Sequence, residues 1–182
     1  MENQNISLDE AEYNDLPELI PYRKGKKWGF CDRNKKIVIE CVYTAVDRFS
    51  EGIARIRKNG KYGFIDKTEK EIIPCIYDSI FDFSKGLAVA KKYGRLAIID
   101  KAGKEIVPFI YGIILNFSEG LVSVWKDEKW DFIDETGEEV IPFVYDEDDY
   151  IYIGGFSKGL TYVKKSKKEF YIDKQGVEYW ED

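Results

Sequence analysis

The chain of 182 residues contains no histidine, and it has only three cysteines and one methionine. Without histidine there is no His-based catalytic triad, no imidazole metal ligand and no side chain that ordinarily titrates near neutral pH. Cys31, Cys41 and Cys75 are odd in number and lack CxxC spacing, which favours reduced core thiols over a disulfide framework or a zinc site. The commonest routes to hydrolytic and metal-assisted catalysis are therefore closed, and we expect a protein that is not an enzyme and uses no cofactor.

Long hydrophobic runs and an excess of positive charge are also missing. No apolar stretch approaches the ~18 residues that span a bilayer, and the amino terminus lacks the basic start and apolar segment of a signal peptide. The 28 basic and 34 acidic residues give a net charge of −6, which argues against nucleic acid and anionic membranes as partners. We expect a cytoplasmic protein, although a signal peptide that had already been removed would leave no trace in this sequence.

An internal repeat of 34 residues runs through the chain, and a fifth copy follows a five-residue insertion. Its clearest segment is Phe-Ser-(Glu/Lys)-Gly, in which we expect Phe to fill the core, Ser to accept a local backbone hydrogen bond and Gly to turn the chain. The repeated positions are Asp32, Asp66, Asp100, Asp134 and Asp173; Tyr43, Tyr77, Tyr111 and Tyr145; and the segments 49–52, 83–86, 117–120 and 156–159.

Each copy predicts three short strands, which we name c, a and b in chain order. Strand c follows the Gly of the Phe-Ser-(Glu/Lys)-Gly segment, strand a ends at the recurring Asp, and that Asp opens a type I turn into strand b. Later copies place Gly in this turn, whereas Lys35 and Glu69 stand there in the first two copies. We expect the side chain to cost each of those two turns about 1 kcal/mol of stability. The pattern predicts an N-terminal arm over 1–17 and a repeat domain over 18–182, with units of about 18–43, 52–77, 86–111, 120–145 and 159–182.

The last two positions before the recurring Asp are both apolar in every copy, as in Phe64-Ile65. A sheet with one wet face would alternate, so we expect these strands to be covered on both sides by neighbouring units. We therefore predict an all-β tandem array of five three-stranded units, stacked as an open, β-solenoid-like array. A closed, propeller-like ring is the alternative, disfavoured because the chain is cut between units and 34 residues are few for a four-stranded blade.

The strand-a segments carry a family resemblance. Lys27-Trp28-Gly29-Phe30, the later segment from Lys61 to Asp66 and the Phe-Ser-Glu-Gly-Leu segments resemble the WG repeats, also called KWG repeats, of bacterial proteins. The resemblance covers residues 18–182, although only the first copy keeps a literal Trp-Gly pair. It implies a repeat scaffold, usually without assigned catalysis, that mediates binding.

The insertion in the fourth copy is the first candidate binding site, because insertions in repeat arrays often lie on the binding face. Four consecutive carboxylates stand there beside two tyrosines. EF-hand spacing is absent, so we expect a contact with a protein partner in preference to calcium coordination. The residues concerned are Asp146, Glu147, Asp148, Asp149, Tyr150 and Tyr152.

A row of strand-a aromatics is the second candidate site. Trp28, Tyr62 and Trp130 occupy equivalent positions and would form a ladder for a small molecule or glycan, or else pack between units. Our leading hypothesis is a non-enzymatic scaffold that binds another protein, with small-molecule or glycan binding along the aromatic row as the alternative. End-to-end association between copies is a further expectation, because neither terminal unit carries an obvious polar cap.

Overall fold

The computed structural model describes residues 15–115, 117–146, 155–165 and 168–180. The chain divides into two compact units, Met1–Asp78 and Ser79–Asp182. Within the described residues no helix is long and apolar enough to cross a membrane. The strands are β1 Ile20–Lys24, β2 Lys27–Cys31, β3 Ile37–Tyr43, β4 Ala45–Val46, β5 Ile53–Lys58, β6 Lys61–Asp66, β7 Glu71–Tyr77, β8 Ser79–Ile80, β9 Leu87–Lys92, β10 Arg95–Asp100, β11 Glu105–Tyr111, β12 Ile113–Ile114, β13 Leu121–Lys126, β14 Lys129–Asp134, β15 Glu139–Asp146, β16 Leu160–Lys165, β17 Lys168–Asp173 and β18 Glu178–Tyr179.

Within the described residues these strands form five small antiparallel sheets in tandem, which confirms the all-β repeat prediction. Sheet one is β1-β2-β3, sheet two β4-β5-β6-β7, sheet three β8-β9-β10-β11, sheet four β12-β13-β14-β15 and sheet five β16-β17-β18. Sheets two to four contain a fourth strand of two residues that the sequence analysis did not predict. The choice between an open stack and a closed ring stays a prediction.

The recurring aspartates build the turns that were predicted for them. In all five turns the Asp Oδ1 atom accepts hydrogen bonds from the backbone amides two and four residues later. The fourth turn residue adopts a positive φ, 79° at Gly103 but also 63° at Lys35 and 66° at Glu69. The first two turns therefore carry the expected left-handed strain of a side chain with a Cβ atom.

Each Phe-Ser-(Glu/Lys)-Gly segment forms a hairpin with a two-residue turn. The serine before the turn forms an isolated β-bridge with the first residue of strand c. In the second of these hairpins, Ser84 and Leu87 exchange both backbone hydrogen bonds, at 2.9 and 3.0 Å. Lys85 and Gly86 between them have φ values of 50° and 84°, as in the type I′ turn that suits the twist of a hairpin. The predicted turning role of the glycine is confirmed.

Replacing this glycine tests the turn without a steric complication, because a Cβ at Gly86 would meet no atom within 4 Å. We expect Gly86→Ala to lower the free energy of unfolding by about 1–2 kcal/mol, since Ala is strained at positive φ. Urea denaturation followed by circular dichroism measures the change. A transition that coincides with that of the unaltered protein would contradict the assigned turn.

One hairpin serine makes a contact that was not predicted from the sequence. The Ser118 hydroxyl donates to the backbone carbonyl of Phe156 in the next repeat, and the predicted local bond of these serines stays a prediction. Phe132 and Phe156 pack with the sheet-five residues Val163 and Phe170 in one hydrophobic cluster. Successive repeats within the unit Ser79–Asp182 are thus held by apolar packing and by hairpin-to-hairpin hydrogen bonds.

In sheet one, strand b (β3) has a β-bulge opposite Gly29, the glycine of the Trp-Gly pair on strand a (β2). Trp28 pairs with Tyr43 and Phe30 with Ile39, so three residues of β3 face the single residue Gly29. A Cβ at Gly29 would lie 2.3 Å from the carbonyl oxygen of Ile39. The glycine is therefore required by a close backbone approach, which is a structural reason for this part of the motif.

Candidate functional site

The acidic insertion follows the last strand of sheet four. Asp146 is the final residue of β15, and its backbone pairs with Lys129 on β14. The other predicted residues of this site, Glu147, Asp148, Asp149, Tyr150 and Tyr152, lie outside the described residues. Their role in partner binding stays a prediction.

Two members of the predicted aromatic row lie in the unit Met1–Asp78. Trp28 and Tyr62 are half-buried, and each ring carries an arginine from the paired strand c. The guanidinium carbon of Arg23 lies 5.7 Å from the Trp28 ring centroid, and that of Arg57 lies 5.3 Å from the Tyr62 ring. These cation–π contacts occupy one face of each ring, so a sugar stacking on that face would have to displace an arginine.

The third member of the row lies in the other unit and is part of its core. Trp130 is only 8% exposed and packs in the cluster that contains Phe132 and Phe156. Trp130→Ala would consequently remove a core side chain, and Trp28→Ala is the cleaner probe of the glycan alternative. That alternative stays a prediction.

Three tyrosines lie side by side across sheet five. Tyr162 on β16 pairs with Tyr171 on β17, and Tyr171 pairs with Tyr179 on β18. Tyr171 is 52% and Tyr179 55% exposed, while the Tyr162 and Tyr171 ring centroids lie 5.6 Å apart at an interplanar angle of 69°. We call Tyr162, Tyr171 and Tyr179 the tyrosine face.

The row of sheet four that contains Ser123 and Phe132, the equivalents of Tyr162 and Tyr171, is buried. Ser123 pairs with Phe132 and Phe132 with Ile141, and these three residues are 3%, 1% and 2% exposed. The opposite side of sheet five, with Phe170 and Ile172, packs in the same cluster as Phe132. The tyrosine face is therefore the side of sheet five that points away from sheet four, and among the described residues Tyr171 and Tyr179 are exposed on it.

Hydrogen bonds within sheet five satisfy the hydroxyl groups of the two outer tyrosines. The Tyr162 hydroxyl donates to Glu169, and the Tyr179 hydroxyl donates to Asp173 Oδ2 at 3.0 Å. The bond to Glu169 raises the pKa of Tyr162 to about 12, and the bond to Asp173 likewise raises the pKa of Tyr179. Both phenols are thus neutral near pH 7, and their rings can be covered without leaving an unpaired hydroxyl.

A buried carboxyl group occupies the motif's glycine position in sheet four. Asp131 is 1% exposed, and its Oδ1 atom has no hydrogen-bond partner. Burial, together with the nearby charge of Glu139, raises the pKa of Asp131 to about 7. Burial and the charge of Asp131 also raise the pKa of Tyr111. This group titrates near neutral pH in a chain that has no histidine.

Neither the tyrosine face nor the buried carboxyl was predicted from the sequence. The available signal for the tyrosine face was residue type, because tyrosine replaces Ser123 and Phe132 of sheet four at the equivalent positions 162 and 171. The available signal for the buried carboxyl was that Asp131 stands where the Trp-Gly motif has glycine.

All three cysteines are free thiols, and the described residues contain no group of three or more His, Cys, Asp or Glu side chains arranged to hold a metal ion.

Repetition of one strand-turn-strand pattern in five small sheets defines a β-repeat protein. The chain belongs to the family of WG containing repeats, whose model matches residues 28–62, 62–95, 98–130 and 132–168. The family identified from the sequence is therefore confirmed. No curated protein matches the chain.

Solved structures offer only distant similarity. Hsv2 of Kluyveromyces lactis is 9% identical, with a TM-score of 0.44 over 88% of this chain and 59% of that chain. The AfRom2 CNH domain is 14% identical, with a TM-score of 0.42 over 88% of this chain and 69% of that chain. The computationally designed Ika4 protein is 14% identical, with a TM-score of 0.41 over 71% of this chain and 91% of that chain. The chain spans about three fifths of the Hsv2 length, and similarity at this level carries no information on function.

Proposed function

We propose that this protein is a non-enzymatic repeat scaffold that binds another protein through the tyrosine face. The observation that carries the proposal is the exposure of Tyr171, at 52%, because the equivalent residue of sheet four, Phe132, is only 1% exposed. Tyrosine is enriched at the energetic centres of protein interfaces, because its ring buries a large area with little loss of side-chain freedom.

The surroundings of the tyrosine face suit a protein partner. Charged groups flank the rings, with Lys164 Nζ lying 3.9 Å from a Glu169 carboxylate oxygen at one side and Asp173 at the other. An apolar centre with a polar, charged rim is the usual anatomy of a binding surface between proteins. Because the three tyrosines lie on paired strands, the surface is already formed before a partner binds, which lowers the ordering cost of binding.

An affinity experiment with two matched variants tests this function. We expect Tyr171→Lys to lose most of a partner captured from the native host, because a charge replaces the central ring. Tyr93→Lys is the control, since Tyr93 is an 85% exposed tyrosine on a hairpin tip of sheet three. Quantitative mass spectrometry of the bound fractions compares the two variants, and circular dichroism verifies that both are folded.

Equal recovery of every captured protein by the two variants would contradict binding through the tyrosine face. The charge reversal of Asp148 and Asp149 to Lys, made in parallel, tests the acidic insertion separately. Loss of a captured partner in this variant, with retention in Tyr171→Lys, would place the interaction at the insertion and would overturn the tyrosine face as the site.

A further inference from the structure

The hairpin of one repeat covers the sheet of the preceding repeat through a phenylalanine. In the unit Ser79–Asp182 the ring of Phe156 lies against Phe132 of sheet four, with centroids 5.1 Å apart and an interplanar angle of 67°. In the unit Met1–Asp78 the ring of Phe49 lies against Phe30 of sheet one, with centroids 4.7 Å apart. The strand-a aromatic residue therefore forms a repeated receiving site for the phenylalanine of a Phe-Ser-(Glu/Lys)-Gly hairpin.

Polar contacts between consecutive hairpins accompany this apolar contact. The Ser118 hydroxyl donates to the Phe156 carbonyl, and the Gly159 amide donates to Glu119 Oε2 at 3.0 Å. Lys174 Nζ lies 3.0 Å from the same carboxylate, and its bond to Glu119 lowers the pKa of that carboxyl. One hairpin thus presents a serine and a charged residue, and the following hairpin docks its backbone against them.

The fifth repeat carries the same receiving positions, but they are exposed. Tyr171 stands at the position of Phe132 and Ser157 at that of Ser118, and the backbone of Ser157 bridges to Leu160 as the backbone of Ser118 bridges to Leu121. Tyr171 is 52% exposed, and Ser157 is also exposed. Lys158, likewise exposed, replaces Glu119 as the charged residue of the receiving hairpin.

We propose that the tyrosine face and the 157–159 hairpin bind a Phe-Ser-(Glu/Lys)-Gly hairpin of a further WG-type repeat, carried by a partner protein. This inference rests on the proposed function and names the element that the partner contributes. The phenylalanine packs on Tyr171, and the Ser157 hydroxyl meets the phenylalanine carbonyl. Charge complementarity selects an acidic residue in the a-to-b turn of the incoming repeat, because the charged residue of a receiving hairpin pairs with that turn, as Glu119 does with Lys174 and Lys85 with Glu135.

A hairpin peptide tests this inference directly. The probe is a fluorescently labelled, backbone-cyclised peptide of residues 45–58, which contains Phe49, Ser50, Glu51 and Gly52. Fluorescence anisotropy measures its binding to the full-length protein. We expect saturable binding with a dissociation constant below about 1 mM, weakened about tenfold by the Phe49→Ser change in the peptide.

Protein variants locate the binding and separate this inference from the proposed function. Tyr171→Lys should weaken peptide binding about tenfold, whereas the control Tyr93→Lys should leave it unchanged. No saturable binding, or equal binding by the Phe49→Ser peptide, would overturn the hairpin as the occupant. If Tyr171→Lys still loses a captured partner in that case, the proposed function survives and only the hairpin is wrong. Self-association in sedimentation experiments that Tyr171→Lys abolishes would instead make a second copy the occupant.

Discussion

Gly29→Ala is expected to destabilise the protein by about 3 kcal/mol or more, several times the cost of an ordinary surface substitution. The added Cβ would lie 2.3 Å from the carbonyl oxygen of Ile39 and 2.6 Å from that of Glu40. Both atoms belong to the backbone of the bulged strand β3, so the contact is relieved only by moving that strand. Urea denaturation at neutral pH measures the loss.

The reverse substitution in sheet three provides the matched control. Ala97 occupies the same motif position and is fully buried, so the strand that crosses it already accommodates a Cβ atom. Ala97→Gly should cost only about 1 kcal/mol, mainly through the greater backbone freedom of the unfolded chain. Similar losses in the two variants would show that close backbone approach is not the reason for the glycine.

The second large effect concerns the pH dependence of stability. The folded-state pKa of Asp131, about 7, lies above the ordinary value of about 4, so the folded protein binds this proton more tightly than the unfolded chain. The free energy of unfolding should therefore fall as the pH rises from about 4 through 7, by an amount on the order of 3 kcal/mol. Urea denaturation at pH 5 and pH 8 brackets most of this change.

Asp131→Ala should remove this part of the pH dependence and stabilise the protein at pH 8. Alanine is already present at the equivalent position of sheet three, and the substitution eliminates a buried carboxylate oxygen that has no hydrogen-bond partner. Glu139→Gln is a graded control: removing the neighbouring charge should lower the folded-state pKa of Asp131, so the loss of stability should be smaller and should end at a lower pH. A variant Asp131→Ala that retains the full slope between pH 5 and pH 8 would assign the titration to another group.

Local chemistry made much of the fold predictable. An aspartate that accepts two amide hydrogen bonds, as Asp66 does from Thr68 and Lys70, specifies its turn wherever it occurs. The same holds for the Phe-Ser-(Glu/Lys)-Gly hairpin, whose glycine needs only positive φ. The two-residue strands β4, β8 and β12 were not predictable, because so short a segment carries no hydrophobic period and forms only by pairing with a neighbouring strand.

The candidate site was less accessible from the sequence than the fold. Trp130 and Tyr171 are both aromatic residues on strand a, yet Trp130 is 8% exposed and Tyr171 is 52% exposed. The sequence presented the first as a binding residue and passed over the second. Residue type cannot separate them, because exposure depends on which neighbouring repeat covers each side of a sheet.

The sequence by itself determined that this chain is a tandem β-repeat protein, with its turns, hairpins and membership of the WG repeat family. These properties depend on contacts between residues a few positions apart, and the 34-residue period multiplies their signal. Only the tertiary structure decided that the backbone of β3 passes close to Gly29, that Asp131 is buried and that Tyr171 and Tyr179 are exposed. Each of these properties depends on the packing of segments that are distant in sequence. Whether a side chain is buried there alters its free energy through desolvation, and residue type alone does not determine that burial.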